Sequence, residues 1–585
     1  MQGMHVANLL RGDTASDISL ETARTWLDEC ENTHVHCGTG RNVPLPKRLV
    51  DLAPIKSSHG LGVKLVEFDG ETGTYACLSH CWGEDPMPIK TMIDTLDEHR
   101  RFISWSALPK TFQDAVVIAR ALGLRYLWID TLCIIQDSAP DWQTESSKMA
   151  DIYQNSLLTI AATSSPDFRG GCFAADQTSD ICLKIEGVEG GEALIAARDC
   201  HGESLMMERE SFRKLFPLYS RGWVFQERML SRRVLYCTHS ELQFECRERL
   251  VCECDNNHMY PFGPTKTIEG RRMQQSKNQY AEPMRKHGVR GQYSTRELCQ
   301  SWQSTVAQYS DLLLTRATDK LPALSGCAKA LGTLTGDTYL AGIWRATFAE
   351  GMLWTVIPPI DLSRPEKWRS PSWSWASVDT TAGIKYTYAL KSVGRHDFQD
   401  SIEAVECAPA NEDVPTLEVK SGYVRIKASL CTAYLRRICR RCQTSRSRAK
   451  YTLEHDTWYQ SGRHGGQGCV FRVPRLDLNG CRMELHPDFK YDEKKDFDFA
   501  DADAPGGCKV APISLLHLYD HQSLNSDVVS DFFLILKTAS VQTPQGAFER
   551  AGMVTLSFDN WTQRDAWFTG IFMKDALERP SILIV

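Results

Sequence analysis

The stretch that decides the fold is LPKTFQDAVVIARALGLRYLWID, residues 108–130. Its first part predicts a helix, because Phe112 and Val116 fall at helical spacing while Pro109 and Gly123 stand where helices begin and end. Its last part, LRYLWID, predicts a short buried strand that ends on an acidic residue. A helix that leads directly into a strand is the repeating unit of an α/β sheet.

The same alternation continues on both sides of this stretch. Upstream, TYACLSHCWG is an apolar run that predicts a buried strand. Downstream, TLCIIQDSAP predicts a loop, DWQTESSKMADIYQNS a helix with Asp141 as its N-cap, and LLTIAATSS another buried strand. RGWVFQERMLSRRVLYCT predicts a short helix followed by a strand, and ELQFEC a further strand. This order of elements predicts a parallel sheet flanked by helices.

At 585 residues the chain is too long for one hydrophobic core, and its composition divides it into segments. The second half holds short alternating runs such as YVRIKASL and GMVTLSF, which are typical of antiparallel strands. We predict an N-terminal extension at 1–72, an α/β domain at 73–254 with an insertion at about 165–220, a polar loop or disordered insert at 255–297, a helical and aromatic segment at 298–395 that includes SPSWSWASV as a strand, and a β-rich C-terminal unit at 396–585.

Composition narrows the class of protein. The net charge of −6 gives no global attraction toward nucleic acid or membranes, so neither is expected as a partner. No run of 18 apolar residues exists, which predicts that nothing spans a membrane. Residues 1–20 lack the apolar core of a signal peptide. We therefore expect the 21 cysteines to be reduced thiols in a cytoplasmic protein, with the nucleus as the alternative compartment.

Three blocks resemble the fungal heterokaryon-incompatibility (HET) domain. They are YACLSHCWG, where the family usually shows the form L-S-Y-x-W-G; LPKTFQDAVVIARALGLRYLWIDTLCIIQD, which runs on to the M-x-x-I-Y of residues 149–153; and RGWVFQERMLSRRVLY. The resemblance extends outward to CENTHVHC and PLPKRLVD before these blocks, and to TDKLPALSG, YLAGIW and PSWSWAS after them. The chain departs from the family at His80 and Cys81, where an aromatic and a small apolar residue are more usual.

The resemblance implies a fold and a function. HET domains are similar in outline to TIR domains, some of which cleave NAD, so a TIR-like sheet and signalling in programmed cell death or self/non-self recognition are expected. TIR enzymes carry a Trp and a Glu four residues apart on one short helix, and Trp223 and Glu227 stand four apart here. The resemblance thus implies Glu227 as the catalytic carboxylate and Trp223 as a base-stacking residue. NAD would be a substrate rather than a permanently bound cofactor, and the expected partners are proteins, including self-association through the HET domain.

Further candidate residues follow from where the predicted strands end. Ser79, Trp82 and Gly83 follow the first strand, and Asp130 ends the second. Ligands of parallel α/β sheets bind outside the carboxyl ends of the strands. We therefore predict that these four residues contact NAD.

Other interpretations of the same residues stay open. Glu227 could form a structural ion pair with Arg221 or Arg228, and Asp130 could cap its own loop. Glu145 is a rival carboxylate, whereas a Ser79–His80 nucleophile is disfavoured because neighbouring strand residues point to opposite faces. For the whole protein, the alternatives are a non-catalytic interaction module that assembles a death or stress signalling complex, and a diverged enzyme of fungal specialised metabolism.

The cysteines and histidines offer two weaker patterns, and we predict no metal site from them. The segment CENTHVHC could hold zinc, but the adjacency of its last two candidate ligands favours a packed structural element; the candidates are Cys30, His34, His36 and Cys37. A half-site at Cys439 and Cys442 has Cys469 and Cys481 as candidate partners. The basic run between residues 436 and 450 is interpreted as a solvated loop.

Overall fold

The computed structural model forms two compact units, which are described separately. The first comprises Met1–Tyr293 with Leu312–Leu334, and the second Ser294–Asp311 with Thr335–Val585. The structure describes residues 13–57, 60–175, 181–186, 192–197, 209–254, 277, 280–282, 294–358, 362, 364–386, 401–412, 414–428, 430–437, 451–454, 482–488, 500–501, 509–522, 529–539, 546–558, 560, 562, 564–565 and 581–585.

The first unit is built on a mixed sheet, in which nine strands of the described residues take part. Across the sheet the strands lie in the order Leu250–Cys252, Leu242–Cys246, Arg233–Cys237, Leu158–Ala161, Ala76–Ser79, Tyr126–Trp128, Arg48–Ser57, Gly60–Glu67 and Ile103–Ser104. The four strands from Arg233–Cys237 to Tyr126–Trp128 are parallel neighbours, as predicted. The strands outside them pair antiparallel with their neighbours. Short connections reverse the chain between Arg233–Cys237, Leu242–Cys246 and Leu250–Cys252. The sheet is therefore mixed rather than wholly parallel.

The predicted N-terminal extension contributes strands to this sheet, whereas the predicted insertion does not contribute its described strands. The region predicted as an N-terminal extension supplies two of its strands, Arg48–Ser57 and Gly60–Glu67, while Val43–Pro44 and Thr72–Gly73 pair beside them as a small separate sheet. Within the predicted insertion, Ile181–Glu186 and Glu192–Ala197 pair with each other outside the main sheet.

The helices of the first unit are Asp17–Thr33, Leu96–Arg101, Lys110–Ala121, Asp130–Cys133, Ala139–Asn155, Arg209–Leu215 and Val224–Leu230, with Ser325–Thr335 at the return of the chain. Lys110–Ala121 buries Phe112, Ala115 and Ile118 in the core, as its apolar spacing predicts.

The prediction that Asp141 is an N-cap was wrong. The helix begins at Ala139 and its N-cap is Ser138, while the Asp141 carboxylate pairs with the buried guanidinium of Arg48. The segment predicted as a loop after Trp128 opens with the helical turn Asp130–Cys133.

The second unit combines short helices with a large sheet. Its main helix, Thr295–Tyr309, begins with a capping box formed by Ser294 and Glu297. The strands of its sheet run mainly antiparallel in the order Ile402–Pro409, Val419–Lys427, Ser581–Ile584, Phe548–Phe558, Val529–Thr538, Lys509–Gln522, Leu430–Arg437 and Tyr451–Glu454, with Arg482–Pro487 and Ala500–Asp501 paired beside this path. This part of the chain is thus rich in β-structure.

Two predictions for the aromatic segment were wrong. YLAGIWRATFAEGMLW, which we predicted from the sequence as one of the helices of residues 298–356, is not one helix. It holds the paired strands Tyr339–Leu340 and Ile343–Trp344, the short helix Phe348–Gly351 and the strand Trp354–Val356. SPSWSWASV is not a strand, because Trp375–Ser377 forms a helical turn. Its tryptophans are fully buried, and the Trp375 Nε1–H donates to the Gly342 carbonyl at 3.0 Å.

Some predictions fall on residues outside the described ranges. These are most of the polar insert at 255–297, the basic run beyond Arg437, and the candidate half-site of Cys439, Cys442, Cys469 and Cys481. Among the helices that are described, none has the length and apolar character needed to cross a membrane.

A close helix contact fixes the position of Val224–Leu230 in the first unit. A Cβ added at Gly326 would lie 2.4 Å from the Ala150 Cβ and 2.7 Å from the Leu230 Cδ1. We expect Gly326→Ala to destabilise the first unit by about 1–2 kcal/mol, because overpacking outweighs the roughly 1 kcal/mol that alanine gains in helix propensity. Chemical unfolding measures this. The exposed Thr333→Ala on the same helix is the control, and equal stability of the two variants would contradict the close packing.

Candidate functional site

Ser79 and Glu227 meet at the carboxyl end of the central parallel strands. Ser79 is the last residue of the strand Ala76–Ser79, and Glu227 lies in the helix Val224–Leu230. The Ser79 hydroxyl donates a hydrogen bond to the Glu227 Oε2 at 2.5 Å. Both side chains are buried, with 2% and 7% of their surface exposed. Two candidates that are 148 residues apart in the sequence therefore form one contact in the fold.

The surroundings of Glu227 favour its protonated form. Burial raises the pKa of Glu227 to about 7, and the negative charge of Asp130 acts in the same direction. The Ser79 hydroxyl, the Arg221 guanidinium and the Tyr153 phenol lower the pKa, but by less than burial raises it. Glu227 is thus divided between its acid and carboxylate forms near neutral pH, a state that is common among catalytic carboxyl groups.

Neither neighbouring arginine forms an ion pair with Glu227. Arg228 instead contacts the Glu245 carboxylate at 3.3 Å and the Tyr236 hydroxyl at 2.9 Å. Arg221 donates to the backbone carbonyl of His80 at 2.6 Å. Within the described residues, the Glu227 carboxylate therefore has a hydroxyl partner rather than a cationic one.

Asp130 and Trp82 form a second contact at the same sheet edge. Asp130 follows the strand Tyr126–Trp128, and its Oδ2 accepts a hydrogen bond from the Trp82 Nε1–H at 2.8 Å. Its Oδ1 accepts from the backbone N–H of Thr131 at 2.7 Å, while the N-cap of the turn Asp130–Cys133 is Ile129. The contact holds a half-buried indole in a fixed orientation at the end of the sheet.

Gly83 lets the chain turn sharply after Trp82. Its φ of +81° lies in the left-handed region, and an added Cβ would lie 2.6 Å from the Cβ of Asp167. A side chain at this position would strain the backbone and clash with the loop opposite.

Trp223 is positioned by a residue from far along the chain. Its Nε1–H donates to the Asp319 Oδ2 at 2.9 Å, and its backbone carbonyl accepts from the Glu227 N–H at 3.3 Å. Trp223 is half-buried and packs partly against the core of the first unit. The two residues thus share a helical turn, while their side chains have different hydrogen-bond partners.

The contacts described above for Glu227, Asp130 and Gly83 lie within the span of one known family model, whereas Asp319, the partner of Trp223, lies outside it. The family model described as heterokaryon incompatibility protein (HET) matches residues 75–227. Residues 75–227 are a HET domain. The match begins at the residue before the strand that carries Ser79 and ends at Glu227 itself. No curated protein and no solved structure matched the chain.

The side chains of His80 and Glu145 do not take part in the contact between Ser79 and Glu227. The His80 ring packs edge-on against Phe112 with ring centroids 5.0 Å apart, and burial lowers the pKa of His80. Glu145 is buried on the helix Ala139–Asn155, where the Lys148 ammonium lies 3.6 Å from its carboxylate. Ser79 therefore does not pair with His80 as a nucleophile, and Glu145 has a separate environment.

Sequence reasoning missed two residues that shape this site, Tyr153, which acts on Glu227, and Asp319, which holds Trp223. It named Arg221 as a possible ion-pair partner of Glu227, whereas Arg221 donates to the His80 carbonyl and lowers the pKa of Glu227 through its charge. Tyr153 ends the M-x-x-I-Y word and Arg221 opens the RGWVFQE block, so both lie in segments that carried the resemblance. Asp319 lies in TDKLPALSG, and nothing local in that segment indicates a contact with Trp223.

Proposed function

We propose that this protein is a signalling protein of heterokaryon-incompatibility type, acting in programmed cell death or self/non-self recognition, whose HET domain cleaves NAD in a TIR-like manner. The observation that carries the proposal is the state of Glu227. It is a buried carboxyl group with a pKa of about 7, bonded to Ser79 at the carboxyl ends of the parallel strands. Such edges are where ligands of α/β sheets bind.

The reaction needs little from the protein beyond one well-placed carboxylate. The bond between the ribose C1′ and the pyridinium nitrogen breaks, and its electron pair leaves with neutral nicotinamide. A water oxygen then bonds to C1′ and gives up a proton, so the products are nicotinamide, ADP-ribose and a proton. No acid is required for the leaving group, unlike in a general glycosidase. The Glu227 carboxylate would stabilise the cationic ribose and accept the proton from water.

The surrounding residues have supporting roles in this proposal. Ser79 orients the Glu227 carboxylate through their 2.5 Å hydrogen bond. Asp130 fixes the Trp82 indole, which offers a flat surface on which a base can stack. Trp223, held by Asp319, offers a second one next to the helix of Glu227. In this proposal the two indoles are the surfaces on which the bases of a bound dinucleotide would stack.

The direct test incubates the purified full chain with NAD and quantifies nicotinamide and ADP-ribose by chromatography. We expect the two products in equal amounts, at a rate per molecule that rises with protein concentration, since self-association is expected. No product at any concentration, together with cell death on expression, would replace this proposal with the non-catalytic assembly module. That alternative draws support from the depth of Glu227, which is only 7% exposed.

The pH dependence of the reaction follows from the charge of Glu227. Because the carboxylate is the active form and its pKa is about 7, we expect the rate to rise about tenfold per pH unit below 7 and to level off above it. In Ser79→Ala, the hydrogen bond that lowers this pKa is lost, so the midpoint should move to higher pH. Steady-state rates across pH 5–9 measure both profiles. A rate that does not vary with pH would remove Glu227 from the mechanism.

A further inference from the structure

Four metal-ligating side chains converge on one point of the first unit, away from the Ser79–Glu227 contact. Cys30 lies in the last turn of the helix Asp17–Thr33, and His34 and Cys37 follow it. Cys246 ends the strand Leu242–Cys246. The ligand atoms of all four lie within 4.8 Å of one another. The three cysteines are fully buried, and none is in a disulfide.

The spacing of these atoms fits a tetrahedral ion. The His34 Nδ1 lies 3.2 Å from the Cys246 Sγ and 4.0 Å from the Cys37 Sγ. Zinc–sulfur bonds of about 2.3 Å and zinc–nitrogen bonds of about 2.0 Å place tetrahedral ligand atoms roughly 3.4–3.8 Å apart. The observed distances bracket that range.

We propose that Cys30, His34, Cys37 and Cys246 bind one structural Zn²⁺ ion. Four protein ligands leave no open position for water or substrate, which is the mark of a structural rather than a catalytic zinc site. This departs from the sequence prediction of no metal. The sequence had offered His36 as a ligand, but its side chain is exposed and its backbone N–H donates to Glu248 at 2.6 Å. Cys246 takes its place, which removes the difficulty of two adjacent ligands.

The groups around the sulfur atoms are those that a zinc-bound thiolate requires. The backbone N–H groups of Glu248 and Arg249 donate to the Cys246 Sγ at 3.4 and 3.2 Å. The Arg233 Nε–H donates to the Cys30 Sγ at 3.1 Å. Donors that point at ligating atoms fix their orientation and stabilise their negative charge.

Arg233 supplies the charge balance for this site. Its side chain is fully buried, and its other donors reach backbone carbonyls, at 2.5 Å to Gly38 and 3.3 Å to Leu157. Three thiolates, one neutral imidazole and Zn²⁺ carry a net charge of −1. Buried charges are stable when paired. A zinc–thiolate centre would therefore give the buried Arg233 the negative partner that carbonyl groups alone do not provide.

The ion would join two segments that lie outside the matched span of the HET domain. Cys30, His34 and Cys37 precede residue 75, and Cys246 follows residue 227. The site thus fastens the N-terminal helix to the strand Leu242–Cys246, near one edge of the sheet.

The first test measures metal in the full chain, purified without chelator, by elemental analysis. We expect one zinc per chain in the unaltered protein and in His36→Ala, the matched control histidine between the ligands His34 and Cys37. We expect less than about a tenth of that in His34→Ala and Cys246→Ser. Zinc retained in His34→Ala and Cys246→Ser but lost in Cys252→Ser would assign the metal to a second group of possible ligands, Glu241, Cys252 and Cys254, and would overturn the proposal.

A second set of measurements uses the unaltered protein, so the proposal can still be tested if the substituted proteins fail to fold. Exchange of the metal in the unaltered protein for Co²⁺ should give the visible absorption bands of a tetrahedral ion with thiolate ligands. Removal of the metal should lower the melting temperature, and Zn²⁺ should restore it. Absence of zinc in the purified protein, or a disulfide between two of the three cysteines in non-reducing mass spectra, would contradict the site.

Discussion

Replacement of Glu227 by glutamine is expected to lower nicotinamide release by about 100- to 1,000-fold, because glutamine keeps the shape of the side chain but neither stabilises a cationic ribose nor accepts a proton. The amide can still accept the hydrogen bond of Ser79, so the fold should be preserved. Rates at saturating NAD measure the effect on the chemical step. Glu145→Gln is the control, since that carboxylate has a separate environment, and its rate should be unchanged. Equal activity of both variants would remove Glu227 from catalysis.

The same substitution should change how stability depends on pH. The pKa of Glu227 is about 7 in the folded protein against an ordinary value of 4.5, so the folded state binds this proton more tightly. The stability that the protonated group contributes is present below pH 4.5 and is lost as the pH rises through 7. This loss amounts to roughly 3 kcal/mol, and glutamine does not undergo it.

We therefore expect Glu227→Gln to gain stability relative to the unaltered protein between pH 4 and pH 8. Denaturant unfolding at several pH values measures the difference, with the exposed Glu98→Gln as the control. Parallel stability curves for Glu227→Gln and the unaltered protein would show that burial does not hold the proton on Glu227. This outcome is independent of whether the HET domain is an enzyme.

The second large effect is expected at Arg550 in the second unit. Its guanidinium is fully buried, pairs with both carboxylate oxygens of Asp488 at 2.8 and 3.1 Å, and donates to the carbonyls of Met352 and Trp354. It also lies 3.6 Å above the Trp354 ring. Arg550→Met leaves the Asp488 carboxyl group, whose pKa burial already raises, without its cation. We expect a loss of about 3–5 kcal/mol in the stability of this unit.

A double-substitution cycle separates the causes of this loss. Arg550→Met combined with Asp488→Asn removes the unpaired charge, so it should recover part of the stability lost in Arg550→Met alone. Arg550→Lys keeps the charge but loses the paired geometry, so its stability should lie between those of the unaltered protein and Arg550→Met. Urea unfolding of the unaltered protein, of Arg550→Met, of Asp488→Asn and of the double substitution measures the coupling. A loss below about 1 kcal/mol in Arg550→Met would contradict the role of this pair.

Local sequence patterns predicted the central strands and their helices well. The apolar runs around Cys77, Leu127 and Ile160 are short and buried on both faces, and such runs are typical of the middle of a parallel sheet. The strand ELQFEC was predicted, but the antiparallel direction of the flanking strands was not. Pairing between Arg48–Ser57 and its neighbours depends on contacts that no local pattern encodes. The alternation in PSWSWAS looked like a strand, yet its tryptophans are all buried and the chain turns there.

For the candidate site, the sequence likewise predicted local positions but not the contacts between distant residues. The rule that ligand sites lie at strand ends placed Ser79 and Asp130 correctly at one edge, and the family resemblance pointed to Glu227. The hydrogen bond between Ser79 and Glu227, and the partner of Trp223, join residues far apart in the chain. The same limit applies to Cys246, which no motif near residue 30 could indicate.

The return of Leu312–Leu334 to the first unit also bears on how the chain folds as it is made. The Gly222 N–H donates to the Leu313 carbonyl at 2.7 Å, and Gly326 donates to the Gln226 side chain at 3.2 Å. A ribosome adding about 5–20 residues per second has therefore to pass residue 334 before the helix of Glu227 has all its neighbours. The nascent first unit stays incomplete until Ser294–Asp311 of the second unit has emerged, so the HET domain gains its last contacts only after residue 334 is made, and not when residue 227 is made.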